Sequence, residues 1–236
     1  MKKALLLPLL VFCTHFVWAH ALWIETNPVG QKNQQQDIKV YFGEYADNDL
    51  SPADKWFSDL KNFTLVVIAP DGKSQKLSTT ASGDHYKSSF IPDQEGVYTV
   101  TLYHPVKDFY HGMQLRYNSS ATVKIGNAVT GNVETANKNP LSIFAKEATT
   151  GAKDKTVNLK VLIDGKAAAQ KEVKIFAPNG WSKTLYTNEN GEVDFVPLWS
   201  GKYQAEISQT DATPGEHEGK KYDKIFNAAT CMLFIK

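Results

Sequence analysis

One short β unit occurs twice in this chain, and that recurrence constrains the fold more than any other feature. Val67-Ile68-Ala69-Pro70-Asp71-Gly72 returns as Ile175-Phe176-Ala177-Pro178-Asn179-Gly180. Phe90-Ile91-Pro92 with Gly96-Val97-Tyr98 returns as Phe195-Val196-Pro197 with Gly201-Lys202-Tyr203. The copies lie 108 residues apart at the prolines and 105 at the tyrosines. Each reads as strand, Pro-Gly turn, strand, then a Gly-x-Tyr corner opening a further strand. At such a corner the hydroxyls of Tyr98 and Tyr203 are expected to bond back to the backbone, with Gly96 and Gly201 supplying the bend, as in immunoglobulin-like folds.

No stretch sustains a helical period. Ile38, Val40 and Phe42 alternate with Lys39 and Tyr41, and Phe63 to Ala69 is almost continuously apolar, as in a sandwich core. The expected class is therefore all-β: two immunoglobulin-like or transthyretin-like β-sandwiches after a signal peptide. The boundaries read 1–19 for the signal peptide, 20–126 for the first sandwich, 127–138 for a polar linker and 139–236 for the second. Asn139 to Phe144 should open the second sandwich as an edge or bridging strand, with Pro140 at its first position. Asp47 to Leu60 is the one segment read as helical, with Ser51 as N-cap and Pro52 as its first residue.

The start of the chain bears on location. Lys2 and Lys3 precede an apolar run from Ala4 to Val17, and small Ala19 follows. That is the pattern of a secretory signal peptide, too short for a comfortable span. Phe12 argues against lipid attachment at Cys13. Cleavage after Ala19 would leave a periplasmic chain opening on His20-Ala21-Leu22-Trp23, with no transmembrane segment. It would remove two of 26 Lys+Arg and none of 25 Asp+Glu, for a net charge of −1. Near-neutrality, with Arg116 the lone arginine, argues against nucleic-acid binding. Only Cys231 would remain, so no internal disulfide can form. Its apolar strand reads as core.

Five histidines would survive: His20, His85, His104, His111 and His217. A terminal His20 is the most informative, because its α-amine and imidazole can close one chelate ring on a metal ion. Their ordinary pKa values, about 7.7–8.0 and about 6.5, mean that few protons need displacing near neutrality. A further imidazole would complete a nitrogen-rich set suited to Cu(II) or Ni(II). His85, His111 and His104 flank what reads as one hairpin and could converge at one end of the first sandwich, with Met113 as a soft axial donor. Glu25 and Asp84 are candidate partners for imidazole N–H groups. His217, between two glutamates, ranks last. No zinc ribbon, EF-hand, P-loop, dinucleotide fingerprint or Gly-x-Ser-x-Gly elbow is present, and the chain does not read as an enzyme. Trp23 and Trp199 fit core positions, and Trp181, after Gly180, fits an exposed one.

His-Ala-Leu-Trp-Ile-Glu at 20–25, Leu162-Ile163-Asp164-Gly165-Lys166, Thr187-Asn188-Glu189-Asn190-Gly191 and Gly215-Glu216-His217-Glu218-Gly219-Lys220-Lys221-Tyr222 resemble the NikK/NikM-like periplasmic domain associated with nickel and cobalt uptake. The second half also resembles transthyretin-like and carboxypeptidase-regulatory β-domains. The resemblance implies an exported component that binds nickel or cobalt and delivers it to a membrane metal transporter, whereas raw affinity would favour copper. The other reading is a non-metal interaction or carbohydrate-binding module.

Overall fold

The computed structural model describes residues 20–236; the signal-peptide reading of 1–19 lies outside the described residues. The first half contributes β1 (Ala21–Thr26), β2 (Val29–Gly30), β3 (Gln36–Glu44), β4 (Asp49–Leu50), β5 (Thr64–Ile68), β6 (Ser74–Leu77), β7 (Thr80–Ser82), β8 (His85–Phe90), β9 (Gly96–Pro105) and β10 (Met113–Ile125). The second contributes β11 (Leu141–Ala145), β12 (Val157–Ile163), β13 (Lys166–Ala167), β14 (Glu172–Phe176), β15 (Ser182–Tyr186), β16 (Glu192–Phe195), β17 (Gly201–Asp211), β18 (Gly215–His217), β19 (Lys220–Tyr222) and β20 (Lys224–Ile235). The fold is all-β, built of packed sheets as the alternating pattern requires.

One long sheet runs through the whole molecule, in the order β15-β14-β17-β20-β10-β9-β5-β6 with β2 on β10. Its two halves are the two repeats, and they meet where β10 and β20 pair in parallel, Met113 opposite Lys224 through Ser120 opposite Cys231. Placing corresponding strands side by side and parallel turns the second half over, so the two cores lie on opposite faces. Side-chain alternation in β20 shows this directly. Ala228 and Met232 enter the first core, whereas Ala229, Cys231, Leu233 and Ile235 enter the second. A sheet of β1-β3-β8-β7, with β4, covers the first core, and β11-β12-β13, with β16, covers the second.

Each corner tyrosine bonds the backbone four residues before it, and Tyr98 adds bonds with the Asp93 N–H and carboxylate. The Tyr98 hydroxyl accepts from the Gln94 N–H at 3.1 Å and contacts the Gln94 carbonyl at 3.3 Å. The Tyr203 hydroxyl accepts from the Trp199 N–H at 3.1 Å and donates to the Trp199 carbonyl at 3.0 Å. Gly96 (φ +130°) and Gly201 (φ +132°) let the chain pass against Pro70 and Pro178 respectively.

Two local expectations are corrected. The 47–60 segment is not an α-helix; it holds β4 and the short 3-10 turns Ala53–Lys55 and Leu60–Asn62. Ser51 makes no side-chain cap there; instead its carbonyl accepts from the indole of buried Trp56 at 3.1 Å, and Ser58 sits at φ +54°. Burying Trp56 and turning at Ser58 outweigh the local capping signal. Trp199 is 36% exposed and not a core residue, because β16 ends at Phe195 and the chain then turns outward. The 127–138 segment also packs against the first sandwich: the Thr130 carbonyl accepts from Val97, and Gly131 abuts Pro70.

Candidate functional site

His20 immediately precedes β1, and the register of Ala21 with Gly43 and Leu22 with Phe42 sets it beside Glu44 at the end of β3. Its Nε2 lies 3.8 Å from Glu44 Oε1, and its ring meets Phe42 edge-to-face at 5.3 Å. Both side chains share the face of Leu22 and Phe42, directed at the long sheet. There β17 presents Glu206, which is buried. Burial first, and then the charge of Glu44, push its carboxyl up to about 7, against the opposing pull of Lys174 and a hydrogen bond from Gln204. That bond, Gln204 Nε2 to Glu206 Oε2, is 3.1 Å long. Burial and the same two carboxylates raise the neighbouring Tyr117 hydroxyl. His20 and Glu44 thus stand together at the edge of the first core, and the charge of Glu44 reaches buried Glu206.

The remaining histidines do not gather there. β8 and β9 belong to different sheets, so the chain passes from His85 to His104 by a crossover at the Tyr98 corner and not by a hairpin. His85 lies on the outer face of the covering sheet, its Nδ1 2.8 Å from Asp84 Oδ1 and its ring 5.2 Å from that of Tyr41. This contact holds the Asp84 carboxyl below its ordinary value. His104 is buried, with Nε2 3.1 Å from Asp59 Oδ1. Burial works to raise Asp59, but hydrogen bonds from the Lys107 N–H and His104 hold it below the usual carboxylate range. His111 occupies the tight turn between β9 and β10 at φ +48°, against Tyr110, and His217 ends β18. Among the described residues, no group of three or more His, Cys, Asp or Glu side chains is placed to hold a metal ion.

Glu25 is not the partner of His20 either. It lies on the opposite face of β1, accepts from the Trp23 indole at 3.4 Å and pairs with Lys202 of β17. Alternation along β1 explains the difference, since residues 20 and 25 fall on opposite sides. Trp23 is buried between Tyr41, near-parallel at 5.5 Å, and Tyr45, perpendicular at 5.7 Å. The Tyr45 hydroxyl donates to the Lys202 carbonyl at 3.2 Å. These residues line a cleft of about 490 Å³ between the sandwiches. Burial, Glu25 and Asp84 push the Tyr41 hydroxyl up to about 12. Cys231 is buried in the second core, where burial raises its thiol to about 11. It is unsuited to act as a ligand.

A family model described as a domain of unknown function, DUF4198, matches residues 17–211. The chain belongs to the DUF4198 family. Comparison with curated proteins gives no match. Among solved structures, the DUF4198 chain is similar to a DUF4785 family protein from Legionella pneumophila, at 12% identity and a TM-score of 0.33 over 78% of this chain and 51% of that one. It is also similar to Salmonella α2-macroglobulin reacted with methylamine (11%, 0.27, 93% and 15%). A two-domain fibronectin type III segment of chicken tenascin gives 9%, 0.25, 87% and 95%. The DUF4198 chain thus spans about half the Legionella chain and far less of the macroglobulin.

The residues that alternation along the sequence did not single out are Glu44 and Glu206. The second carried a signal, because Gln204 and Glu206 alternate with Tyr203, Ala205 and Ile207 in a strand whose two faces are both covered.

Proposed function

We propose that this protein is exported to the periplasm, processed to begin at His20, and binds a transition-metal ion there for delivery to a membrane metal transporter. The observation that supports this reading is the setting of His20 against Glu44. In a processed chain the α-amine and imidazole Nδ1 would close a six-membered chelate ring on the ion. Glu44, facing Nε2, would orient the imidazole and raise its basicity, the usual part of an outer carboxylate. Glu44 also adds negative charge near an incoming cation. Nitrogen donors with nearby oxygens suit Ni(II), Co(II) and Cu(II). The NikK/NikM-like segments favour nickel or cobalt as cargo, and intrinsic affinity favours copper. His85, His104 and His111 take no part in this form of the site.

Isothermal titration of the processed protein with Ni(II), Co(II) and Cu(II) tests the proposal. His20→Ala is expected to weaken binding by at least about a hundredfold, and Glu44→Gln by about tenfold. His217→Ala should leave it unchanged. Equal affinity of the wild type and His20→Ala would remove His20 from the site.

A further inference from the structure

The two repeats serve as each other's control, and they differ at two exposed tryptophans. In the first copy the Ala69 N–H donates to the Lys73 carbonyl at 2.8 Å, Gly72 to Ala69 at 2.8 Å, and the Lys73 N–H to Asp71 Oδ1 at 3.1 Å. In the second, Ala177 donates to the Trp181 carbonyl at 2.8 Å, Gly180 to Ala177 at 3.1 Å, and the Trp181 N–H to Asn179 Oδ1 at 3.2 Å. Trp181 therefore stands where the first copy has Lys73. At the corner Trp199 stands where the first copy has Gln94, in the same tyrosine hydrogen bonds. Because Lys73 and Gln94 support an equivalent backbone, neither turn needs an indole.

The two indoles pack edge to face, and Trp181 lines a recess beside them. Their rings lie 5.8 Å apart at 61°, and they remain 39% and 36% exposed. Pro178 packs against Gly201, so the two turns bearing them are fixed relative to each other. Trp181, Leu198 and Val196 line a cleft of about 430 Å³ at the open side of the second sandwich, together with Lys183 on β15 and Asp194 on β16. That volume is in the range of roughly 300–1,000 Å³ usual for small-ligand sites. The polar lining carries one charge of each sign. Asp194 Oδ1 accepts from Asn158 at 2.8 Å, which orients the carboxylate.

We propose that this cleft binds a neutral pyranose unit of a glycan, with one apolar sugar face stacked on the Trp181 indole, which Trp199 braces from beside the cleft, and hydroxyls bonded to Lys183 and Asp194. A sugar ring has the required amphipathic form: C–H groups on a face, hydroxyls around the rim. A lipid chain or apolar peptide would strip water from Lys183 and Asp194 without replacing its hydrogen bonds. A charged ligand would find one charge in the cleft repelling it. The site is separate from the pocket at His20.

Saturation-transfer NMR and calorimetry of the full protein with cellohexaose, chitohexaose and laminarihexaose test it. At least one sugar is expected to bind saturably, with ring protons of one face in contact. Trp181→Lys and Trp199→Gln, which install the residues of the first copy, should each weaken binding about tenfold while leaving the melting curve in place. Asp194→Asn should weaken it as well, which keeps the test valid if a tryptophan variant melts early. Failure of all three sugars to bind at concentrations up to about 10 mM, or undiminished binding in all variants, would overturn the proposal. So would displacement of the sugars by micelles of octaethylene glycol monododecyl ether, which carries an alkyl chain and no sugar.

Discussion

Ionisation of buried Glu206 works against the metal-free fold. Its folded pKa is about 7 against an ordinary 4.5, so between those values the folded chain retains a proton that the unfolded chain has released. Stability must therefore fall as pH rises from about 4.5 to 7, in all by on the order of 3 kcal/mol, and recover as pH falls. Glu206→Gln removes that slope. Denaturant titrations in EDTA should show the Gln variant gaining on the wild type from pH 5 to pH 7.5, and parallel curves would refute the assignment. At this scale the sequence was legible for the Asp84 contact of His85, a consequence of neighbouring positions. It was not legible for Glu44, because the pairing of His20 with residue 44 depends on the register of two strands, and register is set by the core face as a whole.

The tyrosine corner is the element that the repeat announced most clearly, because Gly-x-Tyr spacing is local and its hydrogen bonds close within five residues. Tyr203→Phe leaves the Trp199 N–H and carbonyl without their hydroxyl partner and should cost about 1–3 kcal/mol in chemical denaturation. The two glycines should respond unequally. A Cβ at Gly96 would sit 2.6 Å from Pro70 Cγ and 2.8 Å from the Thr130 carbonyl, whereas at Gly201 its nearest neighbour is Pro178 at 3.0 Å. Gly96→Ala is thus predicted to be the more destabilising, by about 1 kcal/mol or more beyond the backbone strain common to both. Equal losses would show that Pro70 yields. The histidine hairpin was misread at this same level: β8 and β9 are consecutive, but the corner between them carries the chain from one sheet to the other. A tyrosine corner is itself a mark of such crossovers. Trp199 was misplaced because Phe195 to Trp199 reads as one apolar run although the strand stops at its first residue.

At the scale of the whole molecule, the sequence indicated two sandwiches but not the sheet they share, since nothing local encodes which strands of two similar units become neighbours. β20 supplies side chains to both cores from its two faces, so neither half is complete without it. Calorimetry should accordingly show one cooperative transition, with Met232→Ala in the first core and Leu233→Ala in the second each lowering that same transition; Leu233→Ala should cost about 2–5 kcal/mol. Two separable transitions would mean that the parallel β10–β20 seam is weak. The functional account depends on a chain end meeting Glu44 at one edge of this assembly. Native mass spectrometry of the untagged protein, released from the envelope of cells grown with trace nickel, cobalt and copper, tests it most directly. The account predicts one species spanning 20–236 that carries a single transition-metal ion and loses it on acidification. A chain starting elsewhere, or one starting at His20 that never carries metal, would contradict it.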